Sequence, residues 1–478
     1  METLKEKAAR GLLWSGLSGG IQKVLNLLFG IILARMLTQS DYGMVGLLTI
    51  FSEVAGTLQE GGFVSALNRR PTVSHADYNS VFWFSALTGL TLYCLLFLSS
   101  PLIARFYGID ELTALARYVF LGFLITSLGI ASRAYMFRNM MVREGAVISI
   151  SALVASSTTG IVLAANGFSY WGIATQSIVY NLLSTGACFI VARWRPSMNI
   201  NFGPVREMFG FSSRLVITNI VNIAKGNIFP IILGKVYTPI DVGNYTQANK
   251  WNFMGWSIVA SMTSSIGQPV FARTADDPAR QLRVLRKLLR FTAFVAFPAM
   301  FGLGLVSHEL IVLLLTERWT DAAALLQWLC VAGAFLPIST VLVNLLISRG
   351  RSDVILRCSI VLTILMLASM IAAAPQGIGA MVAVYVAMHV GETGVWFWFV
   401  RRETGLTAAN MVSDLSPYLL LSLALVAAAA MVSSPIDNLY ARLAVKVVFV
   451  AAGYCLTLWA FRSKIFLESV NYLIKRWK

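Results

Sequence analysis

Long apolar runs separated by short polar connections fill almost the whole chain. A transmembrane helix needs about 20 mostly apolar residues, and runs of that length recur from one end of the sequence to the other. The pattern predicts an all-α integral membrane protein with about fourteen transmembrane helices. Polar residues interrupt the second and the eighth of them. The predicted spans are residues 11–34, 43–65, 80–101, 112–132, 146–166, 171–192, 208–234, 243–270, 291–314, 323–347, 355–374, 378–400, 413–434 and 440–461.

Arginine and lysine cluster in every second connection between these runs. Two examples are the pairs Arg69/Arg70 and Arg401/Arg402. Cytoplasmic connections of a membrane protein carry an excess of basic residues, and the alternation holds along the chain when the N-terminus is placed in the cytoplasm. Both termini are therefore predicted to be cytoplasmic.

An internal repeat becomes visible when the sequence is shifted by 200 residues. Residues 29–43 read FGIILARMLTQSDYG and residues 229–243 read FPIILGKVYTPIDVG, with seven of fifteen positions identical. Each stretch ends the first helix of a six-helix unit, so the two units share one orientation and are related by a pseudo-two-fold axis along the membrane normal. We predict two six-helix lobes, residues 1–206 and 207–402, and two additional transmembrane helices with a basic cytoplasmic tail in residues 403–478.

The composition excludes several classes of protein. Hydrophobic residues make up 57% of the chain and charged residues 13%, against roughly 25% charged in ordinary soluble domains. The net charge of +16 comes from short basic clusters between apolar runs, so we expect membrane lipid and no nucleic acid as a partner. The five cysteines lie in apolar segments without metal-ligand spacing. We expect no metal, no cofactor and no catalytic residue, and hence no enzyme.

We single out four cations inside the predicted spans of the two lobes. Each would cost roughly 2.5–3.5 kcal/mol at the bilayer centre on insertion scales, so we expect them to face a polar interior. The alternative is structural, with arginine and lysine reaching the membrane surface or pairing with Glu53 or Glu60. The four cations are Lys23, Arg214, Lys225 and Lys250.

Helical spacing groups these cations with amide side chains. Arg214, Asn222 and Lys225 fall on one stripe of the seventh predicted span, and Gln22 and Asn26 lie four residues apart in the first. A site lined by cations and amides suits a diphosphate and its sugars, while a polyprenyl tail remains in the lipid. We therefore predict that these residues bind the substrate.

Acidic side chains inside the spans are candidates for ion coupling. Glu53 and Glu60 lie in the second span, and His389 and Glu392 lie three residues apart in the twelfth, where they can meet on one helix face. Such a group is a candidate site for coupling to H⁺ or Na⁺. The alternative is a structural hydrogen bond between helices.

Several stretches resemble a known family. The N-terminal sequence WSGLSGGIQKVLNLLFGIILARMLTQSDYGMVGL resembles the opening of bacterial polysaccharide flippases of the Wzx type. The stretches QPVFARTADDPARQLRVLRKLLR and LLLTERWTDAAALLQWLCVAGAF are similar to the colanic-acid-exporter branch of the multidrug/oligosaccharidyl-lipid/polysaccharide exporter superfamily.

The resemblance implies an alternating-access fold in the bacterial inner membrane. It also implies export of undecaprenyl-diphosphate-linked oligosaccharide for lipopolysaccharide or exopolysaccharide biosynthesis, beside a polysaccharide polymerase. Other members of the superfamily are peptidoglycan-precursor flippases and multidrug exporters, and drug cations would require carboxylates in the lobes. A membrane sugar polymerase or ligase is the alternative from another class, and the long outer loop that it typically needs is missing from this sequence.

Overall fold

The computed structural model describes residues 4–60, 67, 72–274, 276–468 and 471, and their regular structure is helical. Side chains are not described at residues 4–13, 15, 59–60, 207–215, 217–218 and 221–222. The helices, numbered in chain order, are α1 (Leu4–Met36), α2 (Gln39–Gly46), α3 (Thr49–Glu60), α4 (His75–Tyr107), α5 (Leu112–Leu128), α6 (Ile130–Arg138), α7 (Val142–Ala165), α8 (Tyr170–Val191), α9 (Gly203–Val236), α10 (Pro239–Arg273), α11 (Pro278–Leu305), α12 (Ser307–Leu315), α13 (Thr320–Ser348), α14 (Ser352–Ala373), α15 (Ile378–Thr404), α16 (Ala408–Ser433) and α17 (Leu439–Ala460).

Ten of the described helices are long and apolar enough to cross a membrane, or eleven when α5 and α6 form one span bent by 44°. The predicted second, seventh and eighth spans fall on α2 with α3, on α9 and on α10. Helix α10 is 35 residues long, and its polar side chains keep it outside this set, whereas α9, with 34 residues, includes side chains that are not described. A membrane helix of this kind needs a protein-lined or wet surrounding. The observed helices are consistent with about fourteen spans.

The two stretches of the internal repeat adopt the same local structure. Thr38 precedes α2, and its backbone N–H and hydroxyl donate to the Asp41 carboxylate over 2.8 and 2.7 Å. Thr238 precedes α10, and the same two groups donate to Asp241 over 3.0 and 2.7 Å. In each pair the aspartate N–H donates back to the threonine hydroxyl. The conserved threonine and aspartate therefore form equivalent capping boxes.

Two glycines of the repeat pack closely against the backbone of the other stretch. A β-carbon at Gly43 would lie 1.8 Å from the carbonyl oxygen of Pro239, and one at Gly243 would lie 1.9 Å from that of Gln39. We call these four residues the elbow contact. Only glycine permits this approach at either position, which explains why the repeat keeps a glycine there.

The chain forms two compact units, Met1–Gly243 and Asn244–Lys478. Helix α9 belongs to the first unit, where it packs against α3 and α4. The prediction placed this helix in the second lobe, so the compact units and the predicted lobes divide the chain differently. The lobe boundaries inferred from the repeat stay a prediction.

The last two helices are held to the second unit by ion pairs. The Arg286 guanidinium on α11 contacts Asp414 on α16 through Nε at 2.7 Å. On α12, the buried Glu309 carboxylate lies 2.7 Å from Arg442 Nε and 2.6 Å from Lys446 Nζ, both on α17. These contacts give the buried Asp414 and Glu309 carboxylates the charged partners that they need.

Candidate functional site

Three helices of the first unit, α1, α7 and α8, surround a pocket of about 270 Å³. Six of the eight side chains lining it carry hydroxyl or amide groups, although the helices are apolar enough to cross a membrane. The lining residues are Gln22, Asn26, Leu153, Ser156, Ile173, Gln176, Ser177 and Tyr180. The pocket therefore offers hydrogen-bond donors and acceptors within an apolar bundle.

Local hydrogen bonds orient the amides of this pocket. Asn26 Nδ2 donates to the backbone oxygen of Gln22 one turn earlier, over 2.9 Å. Gln176 Nε2 donates to Ser157 Oγ on α7 over 3.1 Å. An amide side chain has one acceptor and two donor positions, so each retains further hydrogen-bonding capacity. This arrangement suits a ligand with many hydroxyl groups.

The sequence prediction found only the α1 side of the pocket. Gln22 and Asn26 were predicted as binding residues, and the structure brings them together with Ser156, Gln176 and Tyr180, which were missed. Gln176, Ser177 and Tyr180 follow one face of the sixth predicted span. This helical spacing is the sequence feature from which the α8 side of the pocket could have been predicted.

The predicted cations are distributed over both units of the chain. Lys23 is exposed on α1 and Lys225 is half-buried on α9, both in the first unit, while the half-buried Lys250 lies on α10 in the second. Among the described side chains, none of these three lines the pocket. Arg214 and Asn222 lie on α9, and their side chains fall outside the described residues.

Glu53 is joined to α9 by an amide. Asn227 Nδ2 donates to Glu53 Oε2 over 2.7 Å, which links α3 and α9 two residues after Lys225. Asn227 also donates to the backbone oxygen of Ile223. Glu60 ends α3, and its side chain is outside the described residues.

A second polar group lies on α15 in the second unit, and we call it the α15 cluster: Tyr385, His389, Glu392 and Trp396. His389 Nδ1 lies 3.4 Å from Glu392 Oε2, and both residues are only 8% exposed. Trp396 Nε1 donates to Glu392 Oε1 over 3.0 Å. The Tyr385 ring packs edge-on against His389 with centroids 4.5 Å apart.

The α15 cluster continues onto α10 through buried polar residues. Tyr245 on α10 is buried beside Tyr385. Asn244 and Gln247 are also buried, and within the described residues Asn244 Oδ1 and Gln247 Nε2 have no hydrogen-bond partner. Since orphaned buried polar atoms are rare in proteins, these two side chains of α10 are candidates for contact with a bound polar species.

Sequence analysis passed over other cations inside the spans, and two of them have well-defined partners. Arg117 on α5 donates to Ser100 Oγ over 3.0 Å, and its guanidinium lies 4.4 Å from the Phe97 ring centroid. Lys446 on α17 pairs with Glu309. Both have protein partners, which is the structural alternative considered for the four predicted cations.

Metal ligands are not grouped in the part of the chain that the structure describes. Within those residues no set of three or more histidine, cysteine, aspartate or glutamate side chains could hold a metal ion. Cys188 and Cys330 are buried, and Cys94 and Cys455 are exposed, all as free thiols.

Comparison with known proteins connects this fold to polysaccharide biosynthesis. The chain is 24% identical over 376 residues to the lipopolysaccharide biosynthesis protein WzxC of Escherichia coli strain K12, covering 77% of this chain and 75% of that protein. The identities are spread over most of both chains, as expected for relatives that share one architecture.

Solved structures give the architecture. The inward closed conformation of the lipid II flippase MurJ superposes with a TM-score of 0.77 at 14% identity, over 95% of this chain and 100% of that one. The inward-facing conformation of a multidrug resistance MATE family transporter of the MOP superfamily gives 0.64 at 16% identity, over 80% and 94%. These likenesses confirm the predicted fold class.

A family model identifies the chain more specifically. The model described as polysaccharide biosynthesis protein matches residues 32–324, which is more than half of the sequence. The matched region contains the first stretch of the repeat from residue 32, all of the second, and the pocket helices α7 and α8, while most of α1, with Gln22 and Asn26, precedes it. The protein belongs to the family of polysaccharide biosynthesis proteins.

Proposed function

We propose that this protein is an alternating-access flippase for lipid-linked oligosaccharide. It moves undecaprenyl-diphosphate-linked sugar from the cytoplasmic to the periplasmic leaflet of the bacterial inner membrane, with both termini in the cytoplasm. The observation that carries this proposal is the pocket of hydroxyl and amide groups among apolar helices in a member of a polysaccharide biosynthesis family. The MurJ-like fold supports the same mechanism.

The pocket takes the sugar part of the substrate. Sugar hydroxyls both donate and accept hydrogen bonds, and the amides of Gln22, Asn26 and Gln176 can do the same. The hydroxyls of Ser177 and Tyr180 add groups that rotate to fit either role. Uncharged donors and acceptors compensate for the water that a sugar loses on entering the membrane.

Cations hold the diphosphate in this proposal. Lys23, Arg214, Lys225 and Lys250 are the candidate contacts, because a diphosphate needs charge-assisted hydrogen bonds when it leaves water. The polyprenyl chain stays in lipid throughout. A polysaccharide polymerase is the proposed downstream partner, since a translocated repeat unit must be joined to others on the far side.

The α15 cluster is the proposed coupling site. His389 and Glu392 are buried together, and a proton shared between an imidazole and a carboxylate changes the charge of this region by one unit. Transport of H⁺ or Na⁺ down its gradient would then drive the substrate step. Glu53, bonded to Asn227, and Glu60 are the secondary candidates.

Reconstituted transport tests the proposal. Proteoliposomes containing a fluorescent short-chain polyprenyl-diphosphate oligosaccharide should lose protection of the labelled headgroup when the wild-type protein is present. Gln176→Leu should slow this movement about tenfold, because one or two hydrogen bonds of roughly 1 kcal/mol each are lost. Thr159→Val is the matched control, since this exposed hydroxyl on α7 bonds only its own helix, at Ala155.

The same assay separates the alternatives. Movement of a single-unit peptidoglycan precursor in preference to longer oligosaccharides would favour a lipid II flippase, the function named for the MurJ structure. Efflux of organic cations would favour a multidrug exporter. A wild-type protein that moves no labelled lipid under any imposed gradient would contradict the proposal.

A further inference from the structure

A second pocket, of about 400 Å³, lies at the ends of α4, α6 and α8 in the first unit. Ser74 and His75 begin α4, Tyr135 lies near the end of α6, and Arg193 and Trp194 directly follow α8. The volume is within the range of about 300–1,000 Å³ that small-molecule sites occupy. The connection between α8 and α9 carries Arg193 and Arg195. These basic residues mark it as cytoplasmic by the positive-inside rule.

The connection after α8 is fixed in place by α4. Asn79 Nδ2 donates to the backbone oxygen of Asn199 over 2.6 Å, and Asn79 Oδ1 accepts from Ser197 N over 2.8 Å. Trp83 Nε1 also donates to the backbone oxygen of Ser197 over 2.8 Å. The pocket wall is thus preformed, and a ligand need not order it on binding.

Four of the eight residues that line this pocket carry aromatic rings. Trp194 is 5% exposed and packs against Tyr78 and His75 with ring centroids 6.1 and 5.8 Å apart. Tyr78 in turn packs edge-on against Tyr135 at 5.6 Å. Tyr78 and Trp194 are buried, while His75 and Tyr135 are more exposed. Such rings pack against the apolar face of a sugar.

Two donors of the pocket have no partner in the described part of the chain. The indole Nε1–H of Trp194 is buried there without a hydrogen bond. Arg193 is exposed and makes no hydrogen bond or ion pair with described residues. The neighbouring Arg195 differs, since it donates to the backbone oxygen of Trp194 over 2.9 Å and holds the connection. A cation and an unused donor beside aromatic rings suit an anionic sugar.

We propose that this pocket binds the glycosyl diphosphate headgroup of the substrate before it enters the translocation site. The inference rests on the proposed flippase function for the identity of the ligand. Arg193 contacts the diphosphate, Trp194 Nε1 donates to it or to a sugar oxygen, and the rings of His75 and Tyr135 pack against the sugar. The carboxylate of Asp77 accepts from Ser74 in a helix cap and is buried outside the pocket lining.

Photo-crosslinking in nanodiscs of zwitterionic lipid tests this site. The probe is a short-chain prenyl-diphosphate disaccharide with a photoreactive sugar, and the competitor is a uridine-diphosphate sugar, which presents a glycosyl diphosphate without a lipid tail. Crosslinks should map to residues 73–78 and 193–195. The uridine-diphosphate sugar should displace the probe from these residues. Inorganic diphosphate should displace it only at a concentration at least tenfold higher than that of the uridine-diphosphate sugar.

Matched variants give the quantitative test. Arg193→Gln should weaken labelling of this pocket at least tenfold, because a charged contact to phosphate is lost. Trp194→Phe should weaken it several-fold while retaining an aromatic ring. Arg206→Gln, which removes an exposed cation in the first turn of α9, should leave labelling unchanged.

Several outcomes would overturn the site. These are labelling elsewhere only, unchanged labelling of Arg193→Gln, displacement by lipid-linked but never by soluble glycosyl diphosphate, or displacement by phosphatidylglycerol alone. The flippase proposal is judged separately by transport. A transporting wild type with an unlabelled pocket disproves only this site, whereas a labelled pocket without transport disproves the proposed function.

Discussion

At the scale of single residues, the pocket of the first unit shows which side chains a sequence reveals. Gln22 and Asn26 were predicted because amides are conspicuous in an apolar helix. Ser156 and Ser177 were missed because a serine in a membrane helix can satisfy its hydroxyl on its own backbone, so its presence carries little information. The bond between Glu53 and Asn227 could not be predicted, because it joins residues 174 positions apart.

Thiol labelling tests whether the predicted amides face water. In a background without the five native cysteines, Asn26→Cys and Asn222→Cys should react with membrane-impermeant thiol reagents, because both positions are predicted to contact a polar substrate. Leu98→Cys, at an exposed apolar position of α4, is the control and should stay unreactive in lipid. Protection of both test positions from either side of the membrane would show that they face packed protein or lipid.

Removal of single cations should stop export without unfolding the protein. Lys225→Ala and Arg214→Ala should each lower surface-polysaccharide export at least tenfold, because a charged hydrogen bond to phosphate contributes about 1.5–3 kcal/mol. Export is measured in a strain lacking the native gene, with membrane insertion checked by immunoblot. Arg206→Ala is the control for loss of an exposed cation. Full export by the double mutant would exclude both residues from the mechanism.

At the scale of helices, the sequence predicted most elements correctly because apolar length and charge alternation are strong signals. It was least definite for α2 with α3 and for α10, whose polar residues lower the apolar signal. The short break between α5 and α6 at Gly129 was not predicted, since one glycine within an apolar run does not indicate a bend of 44°. The attachment of α16 and α17 depends on ion pairs distant in sequence and was also unpredictable.

The ion cluster of Glu309 should stabilise the second unit. Glu309→Gln should destabilise it by about 3 kcal/mol, because Arg442 and Lys446 lose their buried counter-charge. The measurement is thermal unfolding of the purified protein in detergent. Glu468→Gln is the control: its carboxylate is exposed and only 2.6 Å from Lys287 Nζ, a hydrogen bond that lowers the pKa of Glu468, and its loss should leave the melting temperature unchanged. Equal effects of the two variants would contradict this ranking.

At the scale of the whole molecule, family membership and fold are consistent with the architecture predicted from the sequence. Shape alone does not specify cargo, because the same fold serves the lipid II flippase and the multidrug transporter to which this chain was compared. The discriminating features are therefore chemical, namely the uncharged polar pocket, the cations within the helices, and the α15 cluster. The environment of each cation depends on packing that helical spacing alone cannot specify.

Coupling of an ion gradient to substrate movement is a property of the complete transport cycle, so it is tested in a transport assay. In proteoliposomes, an imposed proton gradient should accelerate headgroup movement by the wild-type protein, and Glu392→Gln and His389→Gln should respond at least tenfold less. A parallel series with a sodium gradient identifies the ion. Thr363→Val on α14, whose hydroxyl bonds only its own helix, is the control. Variants that melt at lower temperature yet keep the full gradient response would assign the cluster a structural role.

The elbow contact has a consequence for how the first unit can move. Gly43 rests on Pro239 while Gly243 rests on Gln39, so the two contacts share the same pair of short segments. Sliding one segment past the other would break both contacts together, and neither can loosen gradually while its counterpart holds. We expect the two contacts to form and break together. The first unit would then change between two discrete conformations during transport.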